Sequence, residues 1–168
     1  MVRAPSPDNA VLRARAWSAV ACVTDPEIPV LTIADLGVLR DVSVEDGLVE
    51  VVITPTYSGC PAMNMIALDI EVALEKAGFH SPRVMTVLSP AWTTDWMSAE
   101  GRAKLRAYGI APPVGKAGRR ALFGEDEVAC PQCASADTAR ISEFGSTACK
   151  ALYRCRACAE PFDYFKCI

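Results

Sequence analysis

Two C-x-x-C pairs near the C-terminal end constrain this chain more than any other feature. Cys130-Pro-Gln-Cys133 and Cys155-Arg-Ala-Cys158 are separated by 21 residues. Each pair fits a tight knuckle whose two sulfurs turn toward one ion. Two knuckles supply the tetrahedral four-thiolate set that zinc prefers in closed structural sites. A tetrahedral sulfur set also suits iron, with zinc as the default. Disulfides are the competing use of these thiols. The leading Met-Val-Arg-Ala-Pro-Ser-Pro-Asp is polar, with no apolar signal segment, which points to a reducing cytoplasm where thiols stay free for metals.

With 168 residues, 51% of them hydrophobic, the chain can bury one core and carry a small appendage. No run reaches the ~18 apolar residues of a membrane helix. Zinc ribbons often touch nucleic acid, and the basic stretch Lys116–Arg120 invites that reading. The charge argues against it: the net is −3, and residues 127–168 hold 5 Lys and Arg against 5 Asp and Glu. Such a ribbon lacks the surplus of cations that neutralises phosphates and supplies most of the affinity.

Ahead of the ribbon the pattern is mixed. Asp8 can cap a helix over 9–23, with Val11, Leu12, Ala16, Ala19, Val20 and Val23 at helical spacing. Asp25-Pro26-Glu27 stops it, the chain stays extended, and Asp35-Leu36-Gly37 makes a turn. Alternating β-branched residues predict strands over 38–44 and 48–54, with Glu45-Asp46-Gly47 as hairpin turn. Thr54-Pro-Thr-Tyr-Ser-Gly-Cys60-Pro61 leads into a helix over 62–76 that ends at Gly78. A third strand is expected over 82–89 and a third helix over 94–108. The fold class is therefore α+β, a small sheet backed by helices over 8–110, then a Pro- and Gly-rich linker over 111–126 and a zinc ribbon over 127–168.

Cys60 stands out among the remaining thiols. Gly59-Cys60-Pro61 puts its sulfur at a helix N-terminus, where unpaired amides and the helix dipole favour thiolate. Position alone also allows a buried cysteine acting as a small hydrophobe, the reading given to Cys22 within the first helix. A cysteine hydrolase would need a base, and His80, the only histidine, sits in a surface turn. Asp25 and Glu27 fit an acid/base pair or plain turn residues. No phosphate loop, H-E-x-x-H or serine elbow is present, so the chain reads as a non-enzyme. A thiol oxidoreductase is disfavoured because Cys60 has no resolving cysteine in its motif. Cys149 and Cys167 exceed what one zinc requires. They fit small thiols packed among Phe144, Tyr153, Phe162 and Phe165, a second thiol pair, or, for Cys149, a replacement within the second knuckle. Lys150, Arg154 and Arg156 can balance the knuckle's negative charge.

In order and spacing, Asp25-Pro26-Glu27-Ile28-Pro29, Asp35-Leu36-Gly37 and Thr54 through Pro61 resemble the domain of SufT-type metal-sulfur cluster assembly factors. With the ribbon, and with Phe144 through Lys150 and Glu160 through Ile168, nearly the whole chain resembles the PaaD family, the D components associated with phenylacetyl-CoA epoxidase. The resemblance implies a bacterial, cytoplasmic accessory protein of phenylacetate catabolism that helps mature the metal centres of a multicomponent oxygenase. It makes Cys60, with Asp25 and Glu27, the functional set, with zinc on the ribbon and iron or an iron-sulfur cluster held transiently at Cys60, in one chain or a homodimer. Implied partners are the oxygenase and reductase subunits and iron-sulfur assembly proteins, with no nucleic acid or membrane. The alternative is a structural adaptor docking reductase to oxygenase.

Overall fold

The computed structural model describes residues 7–45, 47–114 and 127–166 and divides into two compact units, Met1–Ala91 and Trp92–Ile168. The first is built on an antiparallel hairpin, β1 (Leu39–Glu45) and β2 (Leu48–Ile53), extended by β3 (Arg83–Thr86) parallel to β2. Strand order is β1-β2-β3. The β-branched alternation puts Val42, Val44, Val49, Val51 and Ile53 inward, all buried. Gly47 turns the hairpin at φ 80°; Asp46 of that turn lies outside the described residues.

Two helices cover this sheet, α1 (Pro7–Val20) packing against β1 and α2 (Met63–Lys76) against β3, and they touch each other. Ile66, Ile70 and Leu74, at helical spacing on α2, are fully buried, and each contributes roughly 1.5–3 kcal/mol by leaving water. The helix closes as its sequence predicts. Gly78 adopts φ 85°, its amide donates to the Glu75 carbonyl and the Phe79 amide donates to the Leu74 carbonyl. This is a Schellman motif with Phe79 as its buried apolar contact.

The first helix departs from expectation at its end. It stops at Val20 rather than Val23, because the Val23 amide turns back to the Val20 carbonyl and the Val23 carbonyl accepts from the Ile33 amide. Cys22 consequently falls outside the helix and is exposed, its thiol 3.4 Å from the Ser18 carbonyl. It is not the core residue that the apolar pattern suggested.

The second unit begins earlier than the boundary expected at 110. Its opening helical stretch is split: a 3-10 turn over Thr94–Trp96, then α3 (Ala99–Tyr108). Ser98 makes the break by extending the backbone and accepting the Gly101 amide on its hydroxyl at 2.8 Å, a fresh N-cap. After Gly109, in the left-handed region at φ 92°, β4 (Ile110–Ala111) pairs in parallel with β7 (Pro161–Phe165). A segment expected to open the linker is thus the edge of the ribbon sheet, whose order is β4-β7-β6-β5, with β5 at Thr138–Ser142 and β6 at Lys150–Cys155. Trp92 joins this unit by packing on Phe165, ring centroids 6.1 Å apart. The core of the sheet is Ala111, Val128, Ala151, Tyr153, Phe162 and Tyr164 with Cys130 and Cys155. Of the expected linker, 115–126 lie outside the described residues.

Candidate metal centre and thiol loop

Cys130, Cys133, Cys155 and Cys158 bring their sulfurs within 4.8 Å of one another, the one such cluster among the described residues. The knuckles are built alike. The Cys130 amide donates to the Ser135 carbonyl and the Cys155 amide to the Glu160 carbonyl, each at 2.9 Å across five residues. In each, the residue after the second cysteine bends the chain back in the left-handed region, Ala134 at φ 60° and Ala159 at φ 66°. The first cysteine of each pair is buried and the second exposed.

The spacing suits zinc. A tetrahedral ion with Zn–S bonds of about 2.3 Å needs sulfurs about 3.8 Å apart. The pairs Cys130–Cys158 and Cys133–Cys155 stand at 3.8 and 3.5 Å. Charge is shared unevenly. The Cys158 amide, 3.5 Å from Cys155 Sγ, is the largest influence on that thiol and helps pull it down to about 7. For Cys158 the strongest single influence, the Glu160 backbone, lowers it, but burial and the three neighbouring sulfurs prevail and push it up to about 12. Cys133 follows the same logic: the Ser135 backbone lowers it, outweighed by the Cys155 sulfur and burial, so it ends above its ordinary value. Cys155 therefore ionises readily while Cys133 and Cys158 resist, as expected where several like charges would crowd one site. Arg156 stays beside the knuckle, 3.4 Å from Asp137, and Arg154 donates to the Ala159 carbonyl. Lys150 does not join them. It opens β6, about 17 Å from Cys155 at strand rise, where it is buried with its ammonium 3.7 Å from Asp163.

Cys149, next to Lys150, is buried with its sulfur 3.1 Å from the Thr147 hydroxyl. Phe144, expected to pack over it, is instead 64% exposed, its ring face 4.7 Å from the Lys166 ammonium. Cys167 lies outside the described residues.

In the first unit, backbone hydrogen bonds stitch together the three segments singled out in the sequence. Thr24 bridges Thr32, the Leu39 amide donates to the Ile33 carbonyl, and the Thr54 amide donates to the Val38 carbonyl. Asp25 is buried and turns its carboxylate on its own loop, Oδ1 accepting from the amides of Glu27 at 2.7 Å and Ile28 at 2.9 Å. That side chain folds the Asp-Pro-Glu turn. Glu27 is half-buried beside it. Sequence reasoning missed the next device: the Asp35 amide donates to the Thr32 hydroxyl while the Thr32 amide donates to the Asp35 carboxylate. This reciprocal pair is a capping box for a single turn closed by Gly37 at φ 72°, and Thr-x-x-Asp was its available signal.

Cys60 is half-buried, its amide donating to the Tyr57 carbonyl at 3.1 Å. The helix after it starts at Met63, with Ala62 as an N-cap that makes no side-chain hydrogen bond. Pro61 is therefore a turn residue, and Cys60 precedes the cap by two residues. Thr54 and Thr56 are buried along the same loop, and the Thr54 hydroxyl has no partner. His80 is exposed after the Gly78 cap. No helix among the described residues is long and apolar enough to cross a membrane.

Fold and sites together define the class: an α+β domain of the iron-sulfur cluster assembly type, joined to a zinc ribbon. The family model described as iron-sulfur cluster assembly protein matches residues 13–79. That of the PaaD zinc beta ribbon domain matches 115–166. The chain is 54% identical to the inferred D component of the 1,2-phenylacetyl-CoA epoxidase of Escherichia coli, over 90% of this chain and 91% of that one. It belongs to that family of epoxidase D components. It is also 38% identical, over 49% of its length and 80% of the other chain, to an Fe-S protein maturation auxiliary factor of Porphyromonas gingivalis. A crystal structure of a domain of unknown function from Bacillus anthracis shares the fold over 58% of this chain and 94% of that one, with TM-score 0.55 and 24% identity.

Proposed function

We propose that this chain is a non-catalytic accessory protein of a phenylacetyl-CoA ring-epoxidising oxygenase, working in the cytoplasm to assemble or transfer iron or iron-sulfur centres. The observation that carries the reading is the continuous similarity across both units to an epoxidase D component, with an N-terminal half that also matches maturation factors.

Cys60 is the thiol that receives the cargo, with Asp25 holding its own turn and Glu27 beside it. A single sulfur binds iron weakly, which suits a carrier. Release needs only ligand exchange: donor atoms of the client displace the Cys60 sulfur at iron, and no electron moves. The four ribbon cysteines hold zinc as a structural ion, because a closed four-thiolate set leaves no open position for chemistry. The clients are the oxygenase and reductase subunits, and iron-sulfur assembly proteins supply the cargo.

The test is the iron, zinc and sulfide content of the anaerobically purified chain, for wild type and Cys60→Ser, with epoxidase activity in cells carrying each. One zinc per chain in both, iron only in wild type, and loss of epoxidase activity in the variant are the expected results. Normal epoxidase activity with Cys60→Ser would sink the carrier role. Zinc without iron in either protein, even after iron and sulfide are supplied, would favour an adaptor that docks reductase to oxygenase.

A further inference from the structure

The two edges of the first sheet are treated very differently. The β1 edge is guarded: Arg13 on α1 donates to the outward Val42 carbonyl at 2.6 Å and pairs with Asp41 at 2.9 Å, and Arg40, Asp41 and Glu45 are exposed along it. Charge and a side-chain plug of this kind block pairing with another strand. The β3 edge carries neither device. From Val84 in β3 to Leu88, two residues past its end, the sequence is Val-Met-Thr-Val-Leu, uncharged, with Met85, Thr86 and Leu88 exposed. Arg83, the one charge, sits at the far end and lies 3.9 Å from Glu50 of β2.

The ladder says which groups on that edge are open. The Val87 amide donates to the Ile53 carbonyl of β2 at 2.9 Å. Peptide groups alternate sides along a strand, so those of Val84 and Thr86 point away from the sheet. A second β3 laid antiparallel about a two-fold axis through Thr86 matches this edge. Thr86 exchanges two hydrogen bonds with Thr86 of the second copy, Val84 faces Leu88, and Met85 faces Val87. Every facing pair is apolar or Thr–Thr, combinations that stabilise cross-strand contacts, and no like charges meet. The axis also keeps the helix-covered face of both sheets on the same side.

We propose that the β3 edge is a self-pairing surface through which two copies of this chain join their three-stranded sheets into one of six strands. A contact of this extent falls in the small class of interfaces, below about 1,200 Å² in total, so association is in the micromolar range and reversible.

The experiment is sedimentation velocity of the full zinc-loaded chain over a concentration series, for wild type, Thr86→Lys, Thr86→Glu and Thr86→Pro. Thr86 is exposed and its amide faces away from β2, so all three variants keep the fold, which circular dichroism and zinc content check. Wild type is expected to pass from monomer to dimer as concentration rises. Lys or Glu, facing its own copy across the axis, weakens dimerisation about fivefold or more, and Pro, which removes both central donors, abolishes it. The decisive arm mixes Thr86→Lys with Thr86→Glu, and dimer must reappear as the mixed pair. Wild type monomeric throughout the series, variants that associate like wild type, or a mixture that stays monomeric would each overturn the assignment.

Discussion

Glycine at the bend of each zinc knuckle is predicted to tighten metal binding. Ala134 and Ala159 are two of three non-glycine residues with positive φ among the described residues, and they occupy equivalent positions after Cys133 and Cys158. The left-handed region costs an L-residue about 1–2 kcal/mol because Cβ crowds the following carbonyl, a cost glycine does not bear. Where metal binding and folding are one process, strain in the folded knuckle appears directly as lost affinity. Less the roughly 0.5–1 kcal/mol of freedom that glycine adds to the unfolded chain, Ala134→Gly or Ala159→Gly should each raise zinc affinity about two- to fivefold, and the pair about four- to thirtyfold if their effects add. Ala157→Gly supplies the internal control. Its φ is not positive, so glycine there adds only backbone freedom to the unfolded chain and should lower affinity by up to about fivefold. Competition against a chromophoric chelator at fixed pH reads all four proteins on one scale. If Ala157→Gly and Ala159→Gly, two residues apart in one knuckle, move affinity in the same direction, the backbone-strain reasoning is refuted.

Thr32→Ala and Asp35→Ala should each destabilise the first unit by about 1 kcal/mol, and the double variant by clearly less than the sum, because the capping box is reciprocal; denaturant unfolding followed through Trp17 fluorescence measures it. Gly145→Ala should destabilise the ribbon by about 1–3 kcal/mol, because a methyl there would sit 2.5 Å from Asp163 Oδ1 and 3.3 Å from Lys150 Cβ. Gly59→Ala, which would meet the Tyr57 ring at an ordinary 3.7 Å, should leave stability near wild type in a thermal scan. Zinc affinity should rise with pH, since the metal takes thiolates and Cys133 and Cys158, the latter up to about 12, hold their protons beyond neutrality. Chelator competition across a pH series should therefore show weakening as the solution is acidified, and a flat profile would contradict it.

The parts of this fold legible in the sequence are those where local chemistry and tertiary demand coincide. The hairpin over 39–53, the Gly78 cap and the convergence of four cysteines follow from alternation, glycine and spacing alone. The misplacements have a common cause. Val23 looks helical by spacing, but its carbonyl is taken by Ile33 from a distant turn, and no helical period encodes that. Ile110 looks like the end of the first domain and Ala111 like linker because two residues are too few for a pattern, and only β7 makes them a strand. Ser98 did carry a readable signal, a hydroxyl able to cap the helix after it, and the apolar period running through it hid the break. Asp25 was legible as important and illegible as to why, since its partners are amides, which every residue has.

On the proposed reading, the chain separates two demands on sulfur that one site could not meet. Four thiolates on paired knuckles would surround an ion, held in place by the bends at Ala134 and Ala159. Such a site stabilises a fold and makes a poor donor. A thiol on a loop has the opposite character. Cys60 is half-buried, placed two residues before an N-cap without a side-chain hydrogen bond, where on that reading it meets a client without unfolding the domain behind it. What positions the loop is backbone: the Thr54 amide on the Val38 carbonyl, and behind that the Thr32–Asp35 turn. Capping-box variants therefore offer a route to function that leaves every thiol intact. If the carrier reading holds, Asp35→Ala should lower iron delivery in cells more than it lowers the amount of folded protein. A loss that merely tracks protein level would mean that the turn stabilises the domain without aiming the loop.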